Sequence, residues 1–254
     1  MHRSIGLLPF LLAAGSMALA QSATPSVLVA RQSDASAPAS SQIAAAIPAA
    51  ASSPRIVYTF SEPQLQPSRY TITIDEHGFG HFVSEAGPVP AGDTDDVYPA
   101  PMDREIHLDD ALRAGLFRYA RDHQFFQQRC SRGGHLAFTG NKTIAYIGPD
   151  GRGSCAFIWA SDPELQRLSD QLSAVAFTLE IGRRLDVEVH HDPLGLDSEL
   201  ESLEEAVKDQ RASDLPNIAP QLEAIVSDED VMDRARQRAQ NLLDRCENSQ
   251  QKSN

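Results

Sequence analysis

Two periodicities divide this chain. From Arg55 onward apolar residues alternate with polar ones, first as Ile56, Tyr58 and Phe60, then as Tyr70, Ile72 and Ile74 with Thr71 and Thr73 between them. A period of two predicts half-buried strands. Asp75-Glu76-His77-Gly78 is turn chemistry, with Gly78 free to take positive φ, and Phe79 to Ser84 reads as the returning strand. The polar stretch from Glu85 to Asp103 carries Pro88, Pro90, Pro99 and Pro101 and reads as a long loop, a length that marks mobility or function. Asp109 or Asp110 then caps a helix with the stripe Leu112, Leu116, Tyr119 and Ala120, which Phe125 and Phe126 close against the core. Leu136 and Phe138, Ile144 and Tyr146, and Phe157 and Trp159 return to the strand period. They predict a three-strand meander sharing one apolar face, turned at Gly140-Asn141 and at Gly148-Pro149-Asp150-Gly151.

Beyond Trp159 the period changes to that of a helix. Ser161-Asp162-Pro163-Glu164 is a start signal, with a cap residue, a proline in the first turn and an acid near the positive end of the dipole. Leu165, Leu168, Leu172, Val175 and Leu179 form a stripe long enough to cross a sheet before ending near Leu185. Further helices are predicted over Asp197–Gln210, Ile218–Val226 and Asp228–Cys246, punctuated by Pro193, Pro216 and Pro220. The pattern therefore predicts an α+β fold: an antiparallel sheet of about five strands covered on one face by two helices, with a helical C-terminal extension. The expected boundaries are an α+β domain over 55–186, a helical appendage over 187–246 and a disordered tail over 247–254.

The first residues follow neither period. His2 and Arg3 precede an apolar run from Ile5 to Leu19, and Ala18-Leu19-Ala20 ahead of Gln21 has the form read by a signal peptidase. Residues 1–20 are thus expected to be a cleaved signal peptide, its apolar run too short for a permanent span. The protein is expected to be exported, periplasmic or extracellular, with no stable membrane span after cleavage. Residues 21–54 are rich in Ala, Ser and Pro and are expected to be a disordered tether. The formal net charge of -13 argues against a nucleic-acid partner, whose phosphates such a surface repels.

Three cysteines, Cys130, Cys155 and Cys246, allow three pairings in an oxidising compartment. The strand reading favours Cys130–Cys155, because Cys155 shares the parity of Phe157 and Trp159 while Cys130 leaves the covering helix. Strands two apart lie beyond disulfide reach, so Cys130 must lie over the sheet, and Ser131-Arg132-Gly133-Gly134 gives it that freedom. Cys246, left without a partner, is a candidate link between two copies.

Candidate chemistry is sparse. His190-His191-Asp192 is the nearest approach to a surface zinc site, but adjacent histidines rarely face one ion and no further ligand stands at helical spacing. Gly151-Arg152-Gly153-Ser154-Cys155 has the wrong order for a nucleophile elbow. Cys155 would serve as a nucleophile only as a free thiolate beside a base such as His135. The loop Gly148–Gly153, with Arg152, could cradle an anion but lacks the Lys-Ser/Thr end of a phosphate loop. Glu199, Glu201, Glu204 and Glu205 read as a solvated helix flank, with Glu204 and Lys208 a favourable pair. Asn141-Lys142-Thr143 has the form of a glycosylation sequon. No metal ligands, cofactor-binding residues or catalytic residues are assigned.

Ala137-Phe138-Thr139-Gly140-Asn141-Lys142-Thr143 forms one block with Tyr146-x-Gly148-Pro149-x-Gly151-x-Gly153-Ser154-Cys155. Together with Val175-Ala176-x-Thr178-Leu179-Glu180-x-Gly182-x-x-Leu185 and Leu194-Gly195-Leu196-Asp197, it resembles a family of uncharacterised exported proteins of acidobacteria. The resemblance spans about Tyr58 to Leu243 and implies export without supplying an activity. The residues lean away from catalysis and toward a non-catalytic envelope or secreted module that binds a macromolecule of the cell envelope. The rival is an exported hydrolase near the 85–103 loop, built from His77, His81, Asp93, Asp95 and Asp96.

Overall fold

A computed structural model describes residues 53–89, 98–133 and 138–253. The signal and tether segments, Asp93, Asp95, Asp96, His135 and Leu136 lie outside the described residues. The fold is α+β. Six strands, β1 (Arg55–Ser61), β2 (Arg69–Asp75), β3 (Phe79–Glu85), β4 (Met102–His107), β5 (Asn141–Ile147) and β6 (Arg152–Phe157), form one sheet in the order β4-β3-β2-β1-β5-β6. Every neighbouring pair is antiparallel. The helices are α1 (Asp110–Asp122), α2 (Pro163–His191), α3 (Pro193–Lys208), α4 (Ala219–Ser227) and α5 (Asp233–Ser253).

Alternation decides which face is covered. Ile56, Tyr58 and Phe60, Tyr70, Ile72 and Ile74, and Ile144 and Tyr146 are buried on the helix side. The stripe of α2 meets them with Leu165, Leu168, Leu172, Val175 and Leu179. Two tyrosines carry polar ends into this apolar layer, and α2 supplies their partners. Tyr58 Oη shares a hydrogen bond with Ser169 Oγ at 3.0 Å, and Tyr70 Oη donates to Ser173 Oγ at 3.2 Å. Burial raises the pKa of both phenols, so they stay neutral and act as fixed hydrogen-bonding groups.

Two strand assignments change. The segment Met102–His107, within and just after the stretch read as loop, is strand β4. Its alternation is hidden because Asp103-Arg104-Glu105 separates the inward Met102 and Ile106, and an edge strand tolerates such charges. Of the expected three-strand meander the described residues hold two strands, and Leu136 of the third lies outside them. Phe138 lies exposed in no strand, and Trp159 falls beyond the end of β6.

Helix α2 runs past Leu185 to His191. Its last turns are held by α3, where Arg184 pairs with Glu199 at 3.1 Å. The helical extension shares one core with the sheet: Leu196, Leu200, Leu203, Leu222, Ala239 and Leu242 join the cluster that contains Ile56 and Leu116. Helix α5 continues past Cys246 to Ser253. Among the described residues no helix is long and apolar enough to cross a membrane.

Candidate functional site

Among the described residues a concavity opens where β4 passes into α1 and the α3–α4 connection lies alongside. Asp109 caps α1, its carboxylate accepting from the N–H groups of Ala111 (2.8 Å) and Leu112 (3.2 Å). The connection turns back sharply because Gln210 and Asp214 both adopt positive φ, 60° and 54°. It is then stitched to the sheet edge. His107 N–H donates to Asn217 Oδ1 at 2.8 Å, and Asn217 Nδ2 donates to His107 O at 2.9 Å. One side-chain amide thus imitates a neighbouring strand. Arg104 adds a bond to Asn217 O at 2.9 Å, and Asp109 N–H donates to Asp214 Oδ1 at 3.0 Å.

These contacts leave an open cleft of about 630 Å³ lined by apolar Leu112, Val207, Leu215 and Pro216 and by polar His107, Asp110, Gln171 and Arg245. Asp214 lies in its wall. Burial pushes the Asp214 carboxyl up to about 7, the bond from Asp109 N–H opposes that shift, and the nearby Asp109 charge adds to it. Its Oδ2 is buried with no hydrogen-bond partner among the described residues. The cleft therefore contains one acid able to hold a proton near neutrality, while the Asp109 carboxylate and the Asn217 amide are engaged with backbone.

The residues singled out in the sequence are dispersed. His77 sits exposed in the β2–β3 turn and His81 on the uncovered face of β3. His81 Nε2 approaches Asp103 Oδ1 at 2.6 Å. His190 and His191 end α2, and the Asp192 carboxylate caps α3 by accepting from Leu194 N–H at 3.1 Å. Among the described residues no three His, Cys, Asp or Glu side chains gather as a metal would need. The glutamate flank of α3 is solvated only in part: Glu201 and Glu205 are exposed, whereas Glu199 and Glu204 are half-buried. Arg238 of α5 joins Glu204 (2.6 Å), Glu201 (3.0 Å) and buried Asp197 (3.2 Å), pulling α5 onto α3.

Cys130 and Cys155 form a disulfide, with Cα atoms 5.9 Å apart. That bond removes the nucleophile reading of Cys155. Cys246 is a buried free thiol whose Sγ donates to Leu242 O at 3.4 Å, and burial pushes its pKa up to about 11. A thiol packed inside the helical layer is badly placed to join two copies.

The glycine loop has a packing role. Gln124, Phe125 and Phe126 all take positive φ, which lays Phe125 over the β5–β6 hairpin. A Cβ at Gly151 would sit 2.1 Å from the Phe125 ring, and one at Gly153 would sit 2.2 Å from the Phe125 carbonyl oxygen. The glycines are therefore a seat for Phe125. Gln127 completes it, Nε2 donating to Arg152 O at 2.7 Å.

Sequence reasoning missed two groups. Lys142 is buried, with Nζ donating to Ile158 O at 3.0 Å and lying 5.7 Å from the centre of the Trp159 ring. Burial lowers its pKa. Its parity with Ile144 and Tyr146 was the available signal. Asp214 and Asn217 had no such signal, because only the folded connection brings them to the sheet edge. In comparisons with known proteins, no family model and no curated protein matched the chain.

Proposed function

We propose that this is an exported, non-catalytic binding module of the cell envelope or its surroundings, and that the cleft beside α1 receives its macromolecular partner. The observation that carries the reading is the state of the cleft's polar groups. Asp109 and Asn217 are already engaged with backbone N–H and C=O groups, which suits a rigid, preorganised wall more than a group that must exchange protons with a substrate. The remaining lining mixes aliphatic surface with a few polar side chains, a composition suited to an extended peptide segment. Export is part of the proposal and rests on the leader-like start and the acidobacterial resemblance. A photo-reactive residue at Gln171 should yield a discrete crosslinked product from envelope extracts, while the same residue at exposed Arg118 should not. Equal labelling from both positions would sink the reading.

Asp214 favours a second reading, an exported hydrolase that uses this carboxyl, titrating near 7, for proton transfer. Turnover of an ester, amide or glycoside by the purified protein, abolished by Asp214→Asn, would displace the binding proposal.

A further inference from the structure

The sheet face that no described helix covers has an unusual distribution of charge. Its central strands β2, β1 and β5 present Thr71, Thr73, Val57, Thr59, Thr143 and Ala145 in two facing rows, with no ionised side chain among them. On β3 the same face exposes two large apolar residues, Phe79 and Val83. The centre of this face is therefore a strip of methyl groups and hydroxyls, and its charges lie around that strip.

The charges that do occur are sorted by side. The half formed by β4, β3 and β2 carries Glu105 and Asp75, Glu85 paired with Arg69, and Asp103 paired with His81, and so remains the acidic half. The half formed by β1, β5 and β6 carries Arg55 and Arg152, and its strands bring no acid to this face. A two-fold axis parallel to the strands, between β1 and β2, lays the acidic half of one copy over the basic half of the other. An axis across the strands would instead oppose acid to acid. We propose that a second copy of this chain packs on this face, as a two-sheet sandwich related by the first axis.

Size agrees with this occupant. Six strands about 4.8 Å apart and six or seven residues long give a projected footprint of roughly 600 Å² per copy. Pleating and side chains raise this toward the ~800 Å² per partner of a stable interface. The inference is independent of what the cleft binds and needs no intermolecular disulfide, since Cys246 is buried on the helical side.

Sedimentation of the full exported chain across the micromolar range tests it. The expected result is a dimer that persists in reducing agent. Thr71→Lys places two ammonium groups near the axis and should weaken association by about a hundredfold, with the far-ultraviolet spectrum unchanged. Arg152→Glu and Glu105→Lys, one step apart along the strands in the paired copies, should each weaken self-association, and mixing the two variants should restore it. A wild-type protein that stays monomeric, or a dimer indifferent to Thr71→Lys, would overturn the proposal. A dimer lost on reduction would overturn it in favour of Cys246.

Discussion

Both edges of the sheet are tied down by segments from elsewhere in the chain, but with different chemistry. At the β6 edge the segment after α1 is fastened by the Cys130–Cys155 bond, the Phe125 seat on Gly151 and Gly153, and a Ser131–Ala160 bridge. At the β4 edge the α3–α4 connection buries Leu215 and Ile218 in the core and is fastened to the strand without a covalent link, by hydrogen bonds involving Asn217, Asp214 and Arg104. The first fastening is covalent and tightly packed, and answers to reducing agent. The second borders an open cleft and contains an acid that titrates near neutrality, so it answers to pH. The difference makes one edge sensitive to redox state and the other, where the proposed partner docks, sensitive to pH.

The largest expected effect lies at the covalent edge. Replacing both cysteines, as Cys130→Ala with Cys155→Ala, frees a loop with a sequence separation of 25 and should cost roughly 3 kcal/mol. The denaturant midpoint measures it. A loss below about 1 kcal/mol would mean that packing, and not the bond, holds this edge. Next comes Gly153→Ala, which drives a methyl against the Phe125 carbonyl and should cost about 2 kcal/mol. Because it acts on the same fastening, its cost should shrink in the cysteine-free background. Asn217→Ala removes two bonds that are partly open to solvent and should cost about 1 kcal/mol. The two edges are about 24 Å apart, so this loss should add to that of the cysteine variant. Non-additivity there would show that the edges communicate through the sheet.

The covalent edge could be read in the sequence and the hydrogen-bonded edge could not. Cys155 shares the parity of Phe157, and Cys130 follows a helix whose stripe is explicit, so local periodicity alone brought the two thiols together. The core of the sheet was legible for the same reason, since Ile56, Tyr58, Ile72 and Ile144 lie at regular spacing. β4 was hidden because an edge strand with three charged residues in its middle breaks the apolar pattern. Trp159 misled because an apolar residue two from Phe157 mimics a continuing strand while β6 ends at Phe157. The cleft was invisible. Its parts come from Asp109 and Asp214, 105 positions apart, and no local period registers such a pairing. The acids around Arg238 misled in the opposite sense, because a helix flank looks solvated until another helix is laid on it.

The smallest predicted effect separates the edges most cleanly, because it concerns a proton. With its folded pKa raised from 3.8 to about 7, Asp214 keeps its proton in the native protein after the unfolded chain has lost it. Between about pH 4 and pH 7 the native state binds more protons than the unfolded one. This group therefore makes stability fall as pH rises through that window and level off above it. Relaxation and water entry from the cleft should reduce the total to on the order of 1 kcal/mol. Asp214→Asn keeps the Oδ1 acceptor for Asp109 N–H and abolishes the titration. The variant should match the wild type near pH 4 and exceed it at pH 8, and the cysteine variant should show the same pH slope as its parent. Melting curves at these two pH values are the check. Parallel pH profiles for Asp214→Asn and wild type would remove Asp214 from the pH response and leave the β4 edge an ordinary hydrogen-bonded seam.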